Sequence, residues 1–302
     1  MIELNGEVDN DIGLSLIIAT RDRCQQLSRC LQSMREITSE RTWELIIADN
    51  GSVDETAAVI RKFIDSTPIP TLCVFEPKSG KSNALNSAIT IARGPILAFT
   101  DDDCYPAPDF VTRVCSAFEN SSIGFITGRV ILHDPTDHPM ALNEFPIPQT
   151  FPPNSFLTCG APIIGANMAF RRKVLLDIGG FDPLFGPGSS FGAAEDLDVA
   201  SRASAMGYKG KYHPDAVVRH HHGRSKSDGR RLMKSYGIGM GAYHAKLLLK
   251  RREFGWFARS VYQIPRRYKM SRRMLLWEPV GGAKYACSWL ATRLRRWPAR
   301  SF

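Results

Sequence analysis

Along the first 120 positions, short apolar blocks alternate with stripes of helical period. "LSLIIAT", Leu14 to Thr20, is β-branched and apolar without polar alternation, which predicts a strand buried on both faces. Cys24, Leu27, Leu31 and Met34 follow at spacings of three and four and predict a helix. "WELIIAD" predicts a second strand ending at Asp49, and "NGS" a turn. Ser52 with Glu55 then reads as a capping box for a helix running through Ile60 and Phe63. "TLCVF" is a third strand, and Ala84, Leu85, Ala88 and Ala92 mark the next helix. "PILAF" is a fourth strand, after which Pro108-Asp109 opens a helix carrying Phe110, Val114 and Phe118. Strands alternating with helices over short links predict an α/β fold with a mostly parallel sheet flanked by helices.

Beyond Ser121 the pattern loosens. "GFITGRVIL" predicts a strand, residues 133–160 a Pro-rich loop, and "PIIGANMAF" another strand. "KVLLDIGGF" predicts a short helix stopped by Gly179-Gly180, and "GPGSSFGAA" a flexible loop. "EDLDVASRASAMG" predicts a helix with acids in its first turn, and "GKYHPDAVVRHHH" a strand running into His220, His221 and His222. The chain then divides into residues 1–223, with a first half at about 14–120 and a second at about 121–223, and an extension, 224–302.

Charge separates the same two regions. The net charge of +9 hides an asymmetry: from Arg230 onward lie eighteen of the 39 Lys and Arg but only two of the 30 acids, Glu253 and Glu278. The preceding part is therefore about −7 and the tail about +16. In the tail, "LLLKRREFGWFARS", "SRRMLLW" and "YACSWLATRLRRW" mix cations with apolar residues. That mixture suits a helix lying on an anionic membrane surface, or an appendage packed on the first region. Nucleic acid is the other partner for such charge, but without zinc-finger spacing or an RNA-binding aromatic motif it is not expected. The N-terminus lacks a basic and apolar leader, no run of eighteen apolar residues occurs, and seven dispersed cysteines form no CxxC. These features point to a cytoplasmic protein with reduced thiols, peripheral to a membrane if it meets one.

Chemistry concentrates at predicted strand ends, where parallel sheets bind ligands: Thr20-Arg21, Asp49 and Asp101 to Asp103. Three consecutive carboxylates repel one another, so a cation is expected among them. Asp-x-Asp can hold a divalent metal on substrate phosphates, or it can be a solvated acidic turn. "SGKS", Ser79 to Ser82, imitates the end of a phosphate-binding P-loop, but the first glycine of that motif falls at Phe75, too bulky for the turn. Lys81 is left as a lone cation that can meet a phosphate. Glu195 and Asp196 open a helix after a glycine-rich loop, as ordinary helix-terminal charge or as a positioned general base. Strand alternation sends His220 and His222 to one face, and one imidazole reaching the same metal as Asp103 would complete a mixed O/N site.

Taken in order, "LSLIIATRDR", "WELIIADNGSVDET", "SGKSNALNSAI", "GPILAFTDDDCYPAPDF", "GANMAFRRKVLLDIGGFD", "AEDLDVASRASAMGY" and "VVRHHH" resemble the blocks of a family 2 glycosyltransferase of GT-A fold, over roughly Leu14 to Gly223. The resemblance implies inverting transfer from a nucleotide-sugar to a glycan or lipid-linked acceptor, with Mn²⁺ or Mg²⁺. It implies that Thr20, Arg21 and Asp49 line the nucleotide pocket, with Lys81, Asn86 and Asp102 also on the substrate side. It implies Asp101 and Asp103 as the outer acids of Asp-x-Asp, with Asp101, Asp103 and His220 toward the metal and Asp103 its principal ligand, and Asp196, paired with Glu195, as the base. Arg21 and Asp22 stand where many members carry Asn and Pro, and three histidines stand where one is typical. Because every nucleotide motif precedes Gly223, the extension is expected to be dispensable for donor binding.

Overall fold

The computed structural model describes residues 2–5, 12–155, 157, 161–250, 254–263 and 271–295. Within them, β2 (Leu14–Thr20), β3 (Trp43–Asp49) and β5 (Ile96–Asp101) are nearly inaccessible along their length. Alternate residues enter two apolar layers: Leu16, Ile18, Leu45, Ile47 and Ala98 on one face, Ile17, Ile46, Leu97 and Phe99 on the other. A strand with apolar cover on both sides has no polar face to show, which is why these blocks lack alternation. The first layer is closed by α1 (Cys24–Met34), α2 (Thr56–Ser66) and α4 (Phe110–Ala117). The second is closed by α3 (Lys81–Ile91), α5 (Arg172–Ile178) and α6 (Glu195–Ala205).

The remaining strands are β1 (Ile2–Asn5), β4 (Thr71–Phe75), β6 (Cys104–Pro106), β7 (Ile123–Leu132), β8 (Gln149–Phe151), β9 (Met168–Arg171) and β10 (Lys209–His220). They join one ten-stranded sheet in the order β1-β4-β3-β2-β5-β9-β7-β10-β6, with β8 also on β10. β4, β3, β2 and β5 are parallel, as the alternating pattern predicts. From β5 onward the sheet is mixed: β9 runs antiparallel to both β5 and β7, while β7 and β10 are parallel. The register aligns the carboxyl ends, with Thr20 opposite Asp49 and Ala19 opposite Asp101.

Three local expectations are corrected. Ser52 and Glu55 form no capping box: Ser52 Oγ accepts the Asp22 N–H at 3.0 Å, and Asp54 takes the Thr56 N–H where the helix begins. "PIIGANMAF" is a strand only from Met168, because Ile163 to Ala166 turn to line the cavity described below. Part of the Pro-rich stretch pairs with β10 as β8, while residues 156 and 158–160 lie outside the described residues. Pro214 falls where the β10 register shifts between His213 and Val217, the bulge a proline inside a strand requires.

The C-terminal region is helical: α7 (Lys226–Leu249), α8 (Phe254–Tyr262) and α9 (Arg272–Arg295). α7 opens with a complete capping box, Ser225 with Asp228. Met240, Ala242, Tyr243, Leu247, Trp256, Met274 and Tyr285 join the same core as Phe99, Phe185 and Leu197. The boundary at 223/224 therefore separates charge but not cores. α7 and α9 approach closely through glycine: a Cβ on Gly241 would lie 1.8 Å from the Glu278 carbonyl oxygen, and one on Gly281 2.0 Å from that of Ile238. The parts of the tail clusters within 251–253, 264–270 and 296–302 lie outside the described residues. Among the described residues no helix is long and apolar enough to cross a membrane.

Candidate active site

The aligned strand ends open into a cavity of about 900 Å³. Its polar lining is Thr20, Arg21, Arg23, Asn50, Lys81, Asp101, Asp102, Asp103 and His220, with Glu195 and Asp196 from the start of α6. The same cavity has an apolar lining from Ile163, Ile164, Leu232, Met233, Tyr236, Met240 and Met274. The extension, expected to be dispensable, thus supplies part of the wall.

Each aspartate meets a cation, Asp101 through Lys81 and Asp102 and Asp103 through a shared Arg23. Lys81, at the start of α3, bonds Asp101 and lies 3.8 Å from Glu195 Oε1, so it joins the two acidic groups. Burial alone would lower its pKa, but Asp101 and Glu195 outweigh burial and raise it. Asp102 accepts from Thr20 Oγ1 at 2.7 Å and pairs with Arg23 Nε at 2.9 Å. Burial still dominates and lifts its carboxyl to about 7. Asp103 pairs with Arg23 Nη2 at 2.6 Å, and its Oδ1 is 3.2 Å from His220 Nε2. Burial pushes Asp103 up, but the His220 bond and the charges of Arg23 and Arg224 win and hold it well below the usual range.

Strand pairing decides which histidine takes this place. β6 runs antiparallel to β10 with His220 opposite Cys104, and the His221 N–H donates to the Asp103 carbonyl at 2.8 Å. His221 turns away to Tyr105 Oη, 2.9 Å from its Nδ1. His222 packs edge-on against His220, and its Nδ1 accepts the Arg224 N–H.

A divalent metal fits this corner in part. Ligands at right angles on an ion with bonds of about 2.1 Å lie about 3 Å apart, close to the separation of Asp103 Oδ1 and His220 Nε2. His220 Nδ1 is buried without a partner among the described residues. Cys104 is the third group near this pair, but burial pushes its thiol well above the usual range, and a protonated thiol is a poor ligand for a hard cation. Asp103 and His220 could hold such an ion, with water and substrate oxygens completing it.

At the other acidic group, Asp196 Oδ2 accepts the Gly165 N–H at 3.0 Å and Oδ1 that of Leu197 at 2.7 Å. Burial raises its pKa despite these donors, and raises that of Glu195 to about 7 with Asp196 alongside. Two fixed carboxyls with raised pKa values in a cavity suit proton transfer.

Other expected residues sit elsewhere. Asn86 lies outside the cavity lining, its amide donating to the Phe181 carbonyl and accepting the Phe181 N–H, both at 2.8 Å. Asp49 takes the Ser52 N–H at 2.9 Å, and its neighbour Asn50 faces the cavity instead. The "SGKS" turn is no phosphate cradle: the Gly80 N–H goes to Asn50 Oδ1 and the Lys81 N–H to the Pro187 carbonyl. Arg23, Asn50 and Arg224 were missing from the sequence expectations. The signal for Arg23 was present, since three adjacent acids demand cations and Arg23 stands three residues past a converging strand end.

The comparisons agree with this geometry. The model for "Glycosyl transferase family 2" matches residues 15–179. Glycosyltransferase AglE of Haloferax volcanii is 24% identical over 238 residues, 78% of this chain and 74% of its own. The glucosyl-dolichyl phosphate glucuronosyltransferase of the same organism is 24% identical over 224 residues, 68% of each. The solved mannosyltransferase PcManGT from Pyrobaculum calidifontis, in complex with GDP-Man and Mn²⁺, superposes with a TM-score of 0.63 at 19% identity, over 99% of this chain and 80% of that one. That likeness gives the GT-A fold, and with a family match spanning more than half its length, this chain belongs to glycosyl transferase family 2.

Proposed function

We propose that this glycosyltransferase takes its sugar from a nucleotide-sugar and passes it, with inversion, to a hydroxyl of a lipid-linked glycan acceptor in bacterial surface-glycan synthesis. The carrying observation is that Asp101 to Asp103 and Glu195-Asp196 line one cavity and are joined through Lys81. Thr20, Arg21 and Asn50 at the strand ends, with Asp49 behind them, are assigned to the nucleoside side. Asp196 removes the proton from the acceptor hydroxyl, whose oxygen attacks the anomeric carbon on the face opposite the leaving diphosphate. Mn²⁺ or Mg²⁺ at Asp103 and His220, with Asp101 alongside, would supply positive charge to that diphosphate.

The acceptor assignment rests on the apolar lining of the cavity, Ile163 and Ile164 with the α7 side chains Leu232, Met233 and Met240. A relative named for glucosyl-dolichyl phosphate supports a lipid-linked substrate. Exposed Arg272, Arg273 and Leu276 on α9 suit contact with an anionic surface, which supports a peripheral position on the cytoplasmic face of a membrane. Purified protein should bind or slowly hydrolyse one of UDP-, GDP- or dTDP-sugars in a Mn²⁺-stimulated manner, and Asp103→Ala should remove the stimulation. Indifference to all three donors would defeat the nucleotide-sugar reading. Cosedimentation with anionic vesicles that does not weaken with salt would defeat the electrostatic membrane reading.

A further inference from the structure

Four Lys and Arg residues line the cavity with its carboxylates: Arg21, Arg23, Lys81 and Arg224. Three are committed. Arg21 bonds Ser79 Oγ at 2.8 Å and lies 3.6 Å from Asp22, Arg23 holds Asp102 and Asp103, and Lys81 holds Asp101. Among the described residues, the Arg224 guanidinium has no hydrogen-bond or ion-pair partner in the protein.

Its backbone is nevertheless fixed. The Arg224 N–H donates to His222 Nδ1 at 3.0 Å, and its carbonyl accepts the His138 N–H at 2.9 Å. The Gly223 N–H before it donates to Asp137 Oδ2 at 3.0 Å, and Ser225 after it is the cap of α7. The capping box occupies the Asp228 N–H, so that donor at the start of α7 is not left for a ligand. The Arg224 charge is felt at Asp103 and His220 on one side and at Tyr236 on the other. A cation anchored at its base, unpaired at its tip and facing a ligand cavity is arranged to meet an arriving anion.

Resting on the nucleotide-sugar reading, we propose that Arg224 binds the β-phosphate of the nucleoside diphosphate leaving group. As the bond from the anomeric carbon to the β-phosphate oxygen breaks, its electron pair stays on that oxygen. The acceptor oxygen bonds to the carbon, and its proton goes to the Asp196 carboxylate. The guanidinium fork donates to the phosphate oxygens on which the new charge spreads.

The test compares UDP, GDP and dTDP with their monophosphates by titration calorimetry on the full chain, with and without Mn²⁺. For the nucleoside that binds the native protein, Arg224→Met should weaken the diphosphate about 10- to 100-fold and leave the monophosphate within about twofold. Arg224→Lys should recover part of the loss. Unfolding curves for both variants should overlay that of the native protein. Equal loss for diphosphate and monophosphate would mark a merely structural residue and overturn the proposal, as would no loss. If the native protein binds none of the diphosphates, the parent reading falls as well, an outcome distinct from native binding that ignores Arg224.

Discussion

The parallel strands β2, β3 and β5 and the helical pair α7 and α9 reach the same cavity by different physics. The strands arrive in register because each is sandwiched between two apolar layers, and a one-residue slip would reverse every side chain. The helices are placed by glycine contacts and by one buried cation. Lys246 on α7 bonds Asp182 at 2.7 Å and also Asp198, which lies on α6 two residues beyond Asp196. Arg202 completes this network on Asp198 at 2.8 Å. The difference teaches that α6, which carries Asp196, belongs to both regions: it packs in the layer under the sheet and is tied to the extension through Lys246.

The largest expected effect is chemical and belongs to the cavity alone. Asp196→Asn keeps size and can still meet Gly165, but it cannot take a proton. Turnover should fall by about 10²–10⁴ with donor affinity little changed. Near-native turnover would reduce Asp196 to helix-terminal charge and leave Glu195 as the candidate.

Lys246→Met tests the link between the regions. It leaves Asp182 without its cation and Asp198 with Arg202 alone, at a cost of about 3–5 kcal/mol in unfolding free energy. Urea denaturation measures it, and a loss below about 1 kcal/mol would show that the extension is not held to α6 by this network. Gly241→Ala should cost less, about 1–3 kcal/mol, because α9 must move away from the added methyl group. Unchanged stability there would show that the α7–α9 contact is loose.

The two regions also differ in how far their sequences reveal them. In β2 to α4 the local pattern and the tertiary outcome agree, because apolar runs and helical stripes are short-range signals. Asp101 to Asp103 and Glu195-Asp196 were legible as chemistry, since such charge at strand and helix ends is costly without a partner. His220 came only from the resemblance and not from the local pattern, because its place beside Asp103 depends on β6 pairing with β10 across more than a hundred residues. The role of α7 was hidden for another reason. Its glycines lower helix propensity, and their value appears only when a second backbone lies against them. Its buried Lys246 read as one more basic residue of a charged tail, because burial is not written in a residue's identity.

The smallest effect concerns Glu195, whose carboxyl burial raises to about 7, against an unfolded value near 4.5. Lys81 opposes that rise, while Asp196 and Asp101 reinforce it. Between these two values the native state keeps the proton and the unfolded chain has lost it, so unfolding releases a proton. Stability is then greatest below about pH 4.5 as far as this group is concerned, and falls as pH rises toward 7. The slope is at most about 1.4 kcal/mol per pH unit, the full weight of one proton. Glu195→Gln removes the titration while keeping the side chain's length, so thermal midpoints from pH 5 to 7 should decline less steeply than in the native protein. Parallel declines would show that Glu195 is already ionised across this range, held so by Lys81, and the two acidic groups of the cavity would then be joined by ion pairs alone.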